Sequence, residues 1–140
     1  MLTPRNPEFE AAVRTTFAGQ AFMTLIGAEI SHLAPGEVDI ACARQAGLTQ
    51  QHGFFHAGVT SAIADTSAGL AALSLFEPGN GVLTSEYKIN LVAPGDGGAL
   101  LARGRVIRSG RTLTVCKSDV FAKNEEGETL IATGLFTMIQ

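Results

Sequence analysis

Residues 55–76 read FHAGVTSAIADTSAGLAALSLF, a run whose one carboxylate is Asp65. Val59, Ile63, Thr66, Leu70 and Leu73 recur at steps of three and four, the spacing that lays an apolar stripe along one face of an α-helix. The remaining faces carry Ala, Gly, Ser and Thr, small enough to let other elements approach closely. A helix so poor in charge is expected to be buried nearly all round. A lone carboxylate is costly to bury, so Asp65 either has a task or finds hydrogen-bond partners.

His56 precedes Asp65 by nine positions, which on an α-helix is roughly 180° of rotation and ~13 Å of rise. The two cannot meet within one chain. If both serve one site, the second comes from a neighbouring copy, and the expectation is a symmetric dimer whose sites are shared between subunits. The plainer alternative has His56 capping or packing at the helix start while Asp65 is satisfied by buried partners.

The whole chain bounds these readings. Its 140 residues make one domain, 1–140, with a helical segment over 1–26. A net charge of −3, with acids and bases interspersed, offers no basic face to nucleic acid. The opening MLTPRNPEFE lacks the apolar run of a signal peptide, so the expected location is cytoplasmic. Cys42 and Cys116 are far apart and lack a C-x-x-C partner, which reads as reduced packing residues; no metal or other cofactor is expected. Ala57–Phe76 is long enough to cross a bilayer, yet its Asp65, serines and threonines mark it as a buried helix, and no membrane partner is expected.

In chain order, Asn6-Pro7-Glu8 has the cap, proline and acid of a helix start, predicting a helix over Pro7–Ala18 and a second brief one over Ala21–Ile26. Ala28–Leu33 and Glu37–Ala43 read as strands joined by Pro35-Gly36. A polar loop, Arg44–Phe54, leads into the long helix. Val82–Val92, Gly98–Arg108, Arg111–Lys123 and Thr129–Ile139 then read as four strands. Their connections at Pro94-Gly95, Ser109-Gly110 and 124–128 are short, so neighbours run antiparallel. The layout is α+β: a four-strand meander follows the helix, which lies across one face of a curved, mostly antiparallel sheet.

The segment Gln50-Gln51-His52-Gly53-Phe54-Phe55-His56-Ala57-Gly58, followed by Asp65, resembles the hotdog-fold acyl-CoA thioesterases of the phenylacetic-acid-degradation (PaaI) type. The order of two strands, motif loop, long helix and four strands extends the resemblance over nearly the whole chain. The family's usual pattern has Asn where this chain has Gln50, and Gly where it has Ala57. The resemblance implies a curved sheet wrapped around one central helix, and hydrolysis of an aryl- or medium-chain acyl-CoA by a homodimer or homotetramer. Asp65 would act as base or nucleophile, and the amides of Ala57 and Gly58 at the helix N-terminus would polarise the thioester carbonyl. Thr84 is nominated to place the water, Gln50 as a further hydrogen-bonding group, and His56 as a site residue. Phe54 and Phe55 are candidates for the acyl pocket. Arg103, Arg105, Arg108 and Arg111 surround the Ser109-Gly110 turn, and Arg108 and Arg111 are the candidates for the phosphates of coenzyme A. The alternative function is a non-catalytic hotdog protein that binds acyl-CoA or an aromatic ligand. A hydratase of the same fold would pair its Asp with a downstream His, and no His follows Asp65.

Overall fold

The computed structural model describes residues 2–140. Two short helices, α1 (Phe9–Ala18) and α2 (Ala21–Ile26), precede β1 (Ala28–Ala34) and β2 (Glu37–Ala43). The long helix α3 (Ala57–Leu73) is followed by β3 (Leu83–Leu91), β4 (Ala99–Ser109), β5 (Leu113–Asn124) and β6 (Gly127–Ile139). The first helix begins at Phe9 rather than Pro7. Asn6 caps the turn before it: its Oδ1 accepts the Glu8 N–H at 2.9 Å and its carbonyl the Phe9 N–H at 3.1 Å. Gly27, left-handed at φ 72°, ends α2 and turns the chain into β1. A 3₁₀ turn over Ala46–Leu48 breaks the loop before α3, which its polar composition does not announce.

The six strands form one sheet in the order β1-β2-β4-β5-β6-β3, and every pairing is antiparallel. This corrects the expected four-strand meander, because β3 pairs with β6 at the far edge and β4 pairs with β2. Residues 92–98 cross the ends of the intervening strands. Val92 N–H donates to the Ile131 carbonyl at 2.8 Å and Gly98 N–H to the Lys123 carbonyl at 3.0 Å. Seven extended residues reach ~23 Å, enough to cross three strand spacings of about 4.8 Å.

Alternate residues of the strands face α3, as a period of two requires. Val38, Ile40 and Cys42 on β2, Leu100 and Ala102 on β4, Cys116 and Val120 on β5 and Phe136 and Met138 on β6 are all buried. Small residues let the helix approach. A Cβ on Gly104 of β4 would stand 2.3 Å from the Ser67 carbonyl oxygen and 2.7 Å from the Ala68 nitrogen, so helix and strand meet backbone to backbone. Beside this contact Ser67 Oγ donates to the Ala64 carbonyl at 2.9 Å and meets Ser118 Oγ at 2.8 Å, which leaves Ser118 as the donor of that pair.

The expected stripe of Val59, Ile63, Thr66, Leu70 and Leu73 is buried. The helix is not buried all round, however. Ala57 and Gly58 are exposed and Ser61, Ala62 and Asp65 are half-buried. Seven residues are nearly two turns, so Gly58, Ser61, Ala62 and Asp65 form one open strip. On the sheet's other face Arg105 Nη1 bonds Asp39 Oδ1 at 2.6 Å and Arg103 Nη2 bonds Glu128 Oε1 at 2.9 Å. Among the described residues no helix is long and apolar enough to cross a membrane, and no group of three His, Cys, Asp or Glu side chains is placed to hold a metal.

Candidate active site

The long helix starts from a tightly tied loop. Gln50 Oε1 accepts the N–H groups of His52 at 2.6 Å and Phe54 at 3.2 Å, and Gln50 N–H donates to the Phe54 carbonyl at 2.9 Å. The carboxamide expected as a further hydrogen-bonding group of the site thus uses its oxygen to shape the loop, leaving Nε2 as the donor. Phe55 N–H to the Gly95 carbonyl and His56 N–H to the Leu48 carbonyl, both at 2.9 Å, dock the loop on the body.

His56 is the cap of α3. Its backbone is extended and its Nδ1 accepts the Gly58 N–H at 2.7 Å. Of the two amides expected to meet a carbonyl, Gly58's is therefore engaged by His56. The Ala57 N–H has no acceptor among the described residues and sits at the positive end of the helix dipole. Ala57 occupies a position where glycine is usual in the pattern it resembles, but among the described residues none other than glycine has positive φ, so its methyl group imposes no backbone strain. Gln50, His52, Phe54, His56, Ala57 and Leu91 are among the residues lining one pocket of about 460 Å³. Phe55 borders it, but at 4% exposure its ring is a core anchor, whereas Phe54 is half-buried.

Asp65 lies elsewhere on the same protomer. Thr84 Oγ1, at the start of β3, donates to Asp65 Oδ1 at 2.7 Å, which brings the two expected residues together. Burial raises the Asp65 carboxyl above its ordinary range, and the Thr84 hydrogen bond pulls it partly back. Gln20, Thr66, Gly69 and Val82 complete a second pocket of about 250 Å³ around the pair. Gln20 was not anticipated. It comes from the junction of α1 and α2, and its Oε1 accepts from Thr66 Oγ1 at 3.3 Å; no local pattern couples positions 20 and 66.

The expected residues thus form two sets on one protomer. Gln50, Phe54, His56, Ala57 and Gly58 gather at the N-terminus of α3, and Asp65, with Thr84 of β3 bonded to it, sits eight residues along the helix from Ala57, or ~12 Å of rise. Arg108 and Arg111 are exposed at the β4–β5 turn. They lie at the sheet end that carries Thr84, because Thr84 pairs with Met138, Met138 with Thr114 and Thr114 with Ser109. Arg103 and Arg105, grouped with them in the sequence, are instead drawn to carboxylates on the outer sheet face.

Residues 52–129 match the model of the thioesterase superfamily. A thioesterase family protein from Silicibacter pomeroyi is 40% identical over 94% of this chain and 96% of its own, with a TM-score of 0.92. A Haemophilus influenzae thioesterase, 24% identical over 99% of this chain and 94% of its own, superposes with a TM-score of 0.82. The Escherichia coli PaaI protein from the phenylacetic acid degradation operon, 19% identical over 95% of this chain and 93% of its own, does so at 0.84. At those two identities the likeness is one of fold. No protein of curated function matches the chain.

Proposed function

The chain belongs to the thioesterase superfamily and has its hotdog fold, and from that premise we propose that it hydrolyses an aryl- or medium-chain acyl-CoA thioester to the free acid and coenzyme A. The observation that carries this reading is Asp65: a half-buried carboxylate of raised pKa, held by Thr84, in a helix with no other charge. Raised basicity suits a carboxylate to take a proton from water, and the second route is direct attack by the same group. By the first route the oxygen of water bonds the thioester carbon as the C–S bond breaks; by the second Asp65 forms a mixed anhydride as the C–S bond breaks, and water then hydrolyses the anhydride to the free acid and restores the carboxylate, the proton given up by water going to the thiolate in both. The thiolate of coenzyme A leaves and is protonated. The Ala57 N–H supports the reading as the donor for the oxyanion that develops meanwhile. Thr84 and the free Nε2 of Gln50 are the groups for water and substrate, and Arg108 and Arg111 for the phosphates.

The reading requires two copies. A reacting carbonyl must lie about 3 Å from both its donor and its attacking group, and Ala57 and Asp65 of one helix are ~12 Å apart. We infer a symmetric assembly, a homodimer or homotetramer, in which Ala57 of one protomer meets Asp65 of its partner. Two features support it. Antiparallel packing of two open Gly58–Asp65 strips about a two-fold axis near Ser61 and Ala62 brings those ends together. The edge strand β3 also exposes Leu83, Tyr87 and Leu91, a nine-residue edge with nothing paired on its outer side. A single domain acting in the cytoplasm completes the proposal.

The test is a screen of aryl- and alkyl-CoA thioesters with free-thiol release as readout. Turnover well above the uncatalysed rate is expected for at least one of them. Tight acyl-CoA binding without release would favour the non-catalytic alternative.

A further inference from the structure

Resting on the thioesterase reading, we propose that Gln20 is a further positioning residue of the reaction, its amide nitrogen holding the water that Asp65 deprotonates. The pocket of about 250 Å³ around Asp65 has four polar side chains, Gln20, Asp65, Thr66 and Thr84. Thr84 has one hydroxyl hydrogen, which goes to Asp65 Oδ1 at 2.7 Å in preference to Met138 Sδ at 3.4 Å. The hydroxyl hydrogen of Thr66 goes to Gln20 Oε1 at 3.3 Å. Both threonines are then left with acceptor capacity alone, and an ionised carboxylate only accepts. The N–H groups of Gln20 Nε2 are the remaining side-chain donors of the pocket, and they have no acceptor among the described residues. By taking the Thr66 hydrogen on Oε1, Gln20 also fixes which end of its carboxamide is the donor.

A water that attacks under base catalysis must donate to its base and keep a lone pair for the carbon. One that donates to Asp65 and to the Thr84 oxygen, and accepts from Gln20 Nε2, is held on three sides with its second lone pair free. As that pair bonds the thioester carbon, the water proton passes to Asp65, the C–S bond breaks, and the proton is handed on to the thiolate of coenzyme A. The backbone of Gln20 is tied into both short helices: its N–H donates to the Phe17 carbonyl at 3.0 Å and its carbonyl accepts the Thr24 N–H at 3.3 Å. Val13 of α1 and Met23 and Ile26 of α2 are buried in the core, so the residue stands on anchored elements. Gln20 occupies the N-cap of α2, where a side chain ordinarily bonds the helix's free amides, yet it makes no such bond and reaches α3 instead. Gln20, Asp65 and Thr84 belong to one protomer, so they stay together whichever chain supplies the Ala57 amide.

Gln20→Glu keeps an oxygen that accepts from Thr66 and replaces the donor with a second acceptor, which separates the tie to α3 from the hold on water. With the CoA ester that wild type turns over fastest, its kcat should fall by about 10–10²-fold, while KM stays close to wild type because the lost contact is to water and not to substrate. Asp65 is the one ionisable side chain lining the pocket. A carboxylate added at position 20 disfavours its ionised form, so the acid limb of kcat/KM against pH should move to higher pH. Gln20→Met, of similar length and without a donor, should lose kcat to a similar degree, and it decides alone if Gln20→Glu does not fold. Wild-type kcat in either folded variant overturns the proposal, as does a loss carried by KM alone or an acid limb that stays in place in Gln20→Glu. A wild type that releases no thiol from any ester fails the hydrolase reading, and the role of Gln20 falls with it; an active wild type with unaffected variants fails this proposal alone.

Discussion

Replacing Asp65 with Asn separates the carboxylate's chemistry from its structural role. Asn keeps the shape and an oxygen that accepts from Thr84 Oγ1, now bonded to Asp65 at 2.7 Å. It can neither take a proton nor attack a carbonyl, so thiol release should fall by about 10²–10⁴-fold, the usual contribution of a positioned base. Stability should not fall with it. Burial raises the folded-state pKa of Asp65 above its value in the unfolded chain. Below the unfolded value, about 3.9, both states hold the proton and the group does not affect the balance. As pH rises from there through the folded pKa, the unfolded chain releases its proton more readily, and the folded state loses relative stability, fully so once the pH is above the folded pKa. Asn has no such proton. At pH 7 the variant should melt at the same temperature as wild type or higher, with the difference narrowing as pH falls toward 4. The assays are thiol release from the best CoA ester of the screen and thermal melts across pH 4–8. Wild-type turnover in the variant would refute the catalytic role. A lower melting point at pH 7 that does not respond to pH would refute the account of the carboxyl's environment.

Complementation tests the shared site. A Cβ at Gly58 would stand 2.9 Å from His56 Nδ1, so Gly58→Val displaces the cap and crowds the helix start. Mixing inactive Gly58→Val chains with inactive Asp65→Asn chains should restore roughly a quarter of the sites, since about half of randomly reassorted dimers are mixed and each mixed dimer has one intact site. No recovery after verified exchange would place both groups in one chain. A structural test concerns Gly104: Gly104→Ala drives a methyl into the Ser67 backbone, and such overpacking costs about 1–3 kcal/mol. A melting temperature unchanged from wild type would contradict the backbone contact between α3 and β4.

The elements were legible in the sequence where local chemistry is strong. The β2 limits follow from a turn signal and a period of two, and the buried stripe of α3 from a period near 3.6. The sheet order was not legible, because alternation marks a strand without naming its neighbour. Pro94-Gly95 looks like a hairpin turn, whereas the carbonyl of Ile131, far along the chain, holds residues 92 and 93. Asp65 stood out because a charge in an apolar helix is anomalous by composition alone. Thr84 was reachable only through the family resemblance. The tie between His56 and Gly58 is local and its capping role was foreseen as the plainer alternative, but its effect on the amide donors needs the ring's orientation. Gln20 could not be tied to α3 because nothing repeats between the residue that joins two short helices and a partner 46 positions later. The arginine cluster separated because strand residues two apart share a face: Arg103 and Arg105 bond carboxylates of β6 and β2, and Arg111 lies past the strand end.

The place of β3 at the edge also orders events in time. Thr84 lies only nineteen residues after Asp65, yet its strand has no partner until β6 arrives, and Thr84 itself rests against Met138, fifty-four residues further on. While the chain emerges from the ribosome, α3 and β1 to β5 are made before anything can seat β3, whose exposed Leu83, Tyr87 and Leu91 meanwhile belong to an unpaired segment prone to wrong partners. Closing this long-range pairing is the slow kind of step in folding. The carboxylate is thus synthesised early and supplied with its hydroxyl partner late, so a nascent chain carries Asp65 without the contact that positions it until residues 127–139 have joined the sheet.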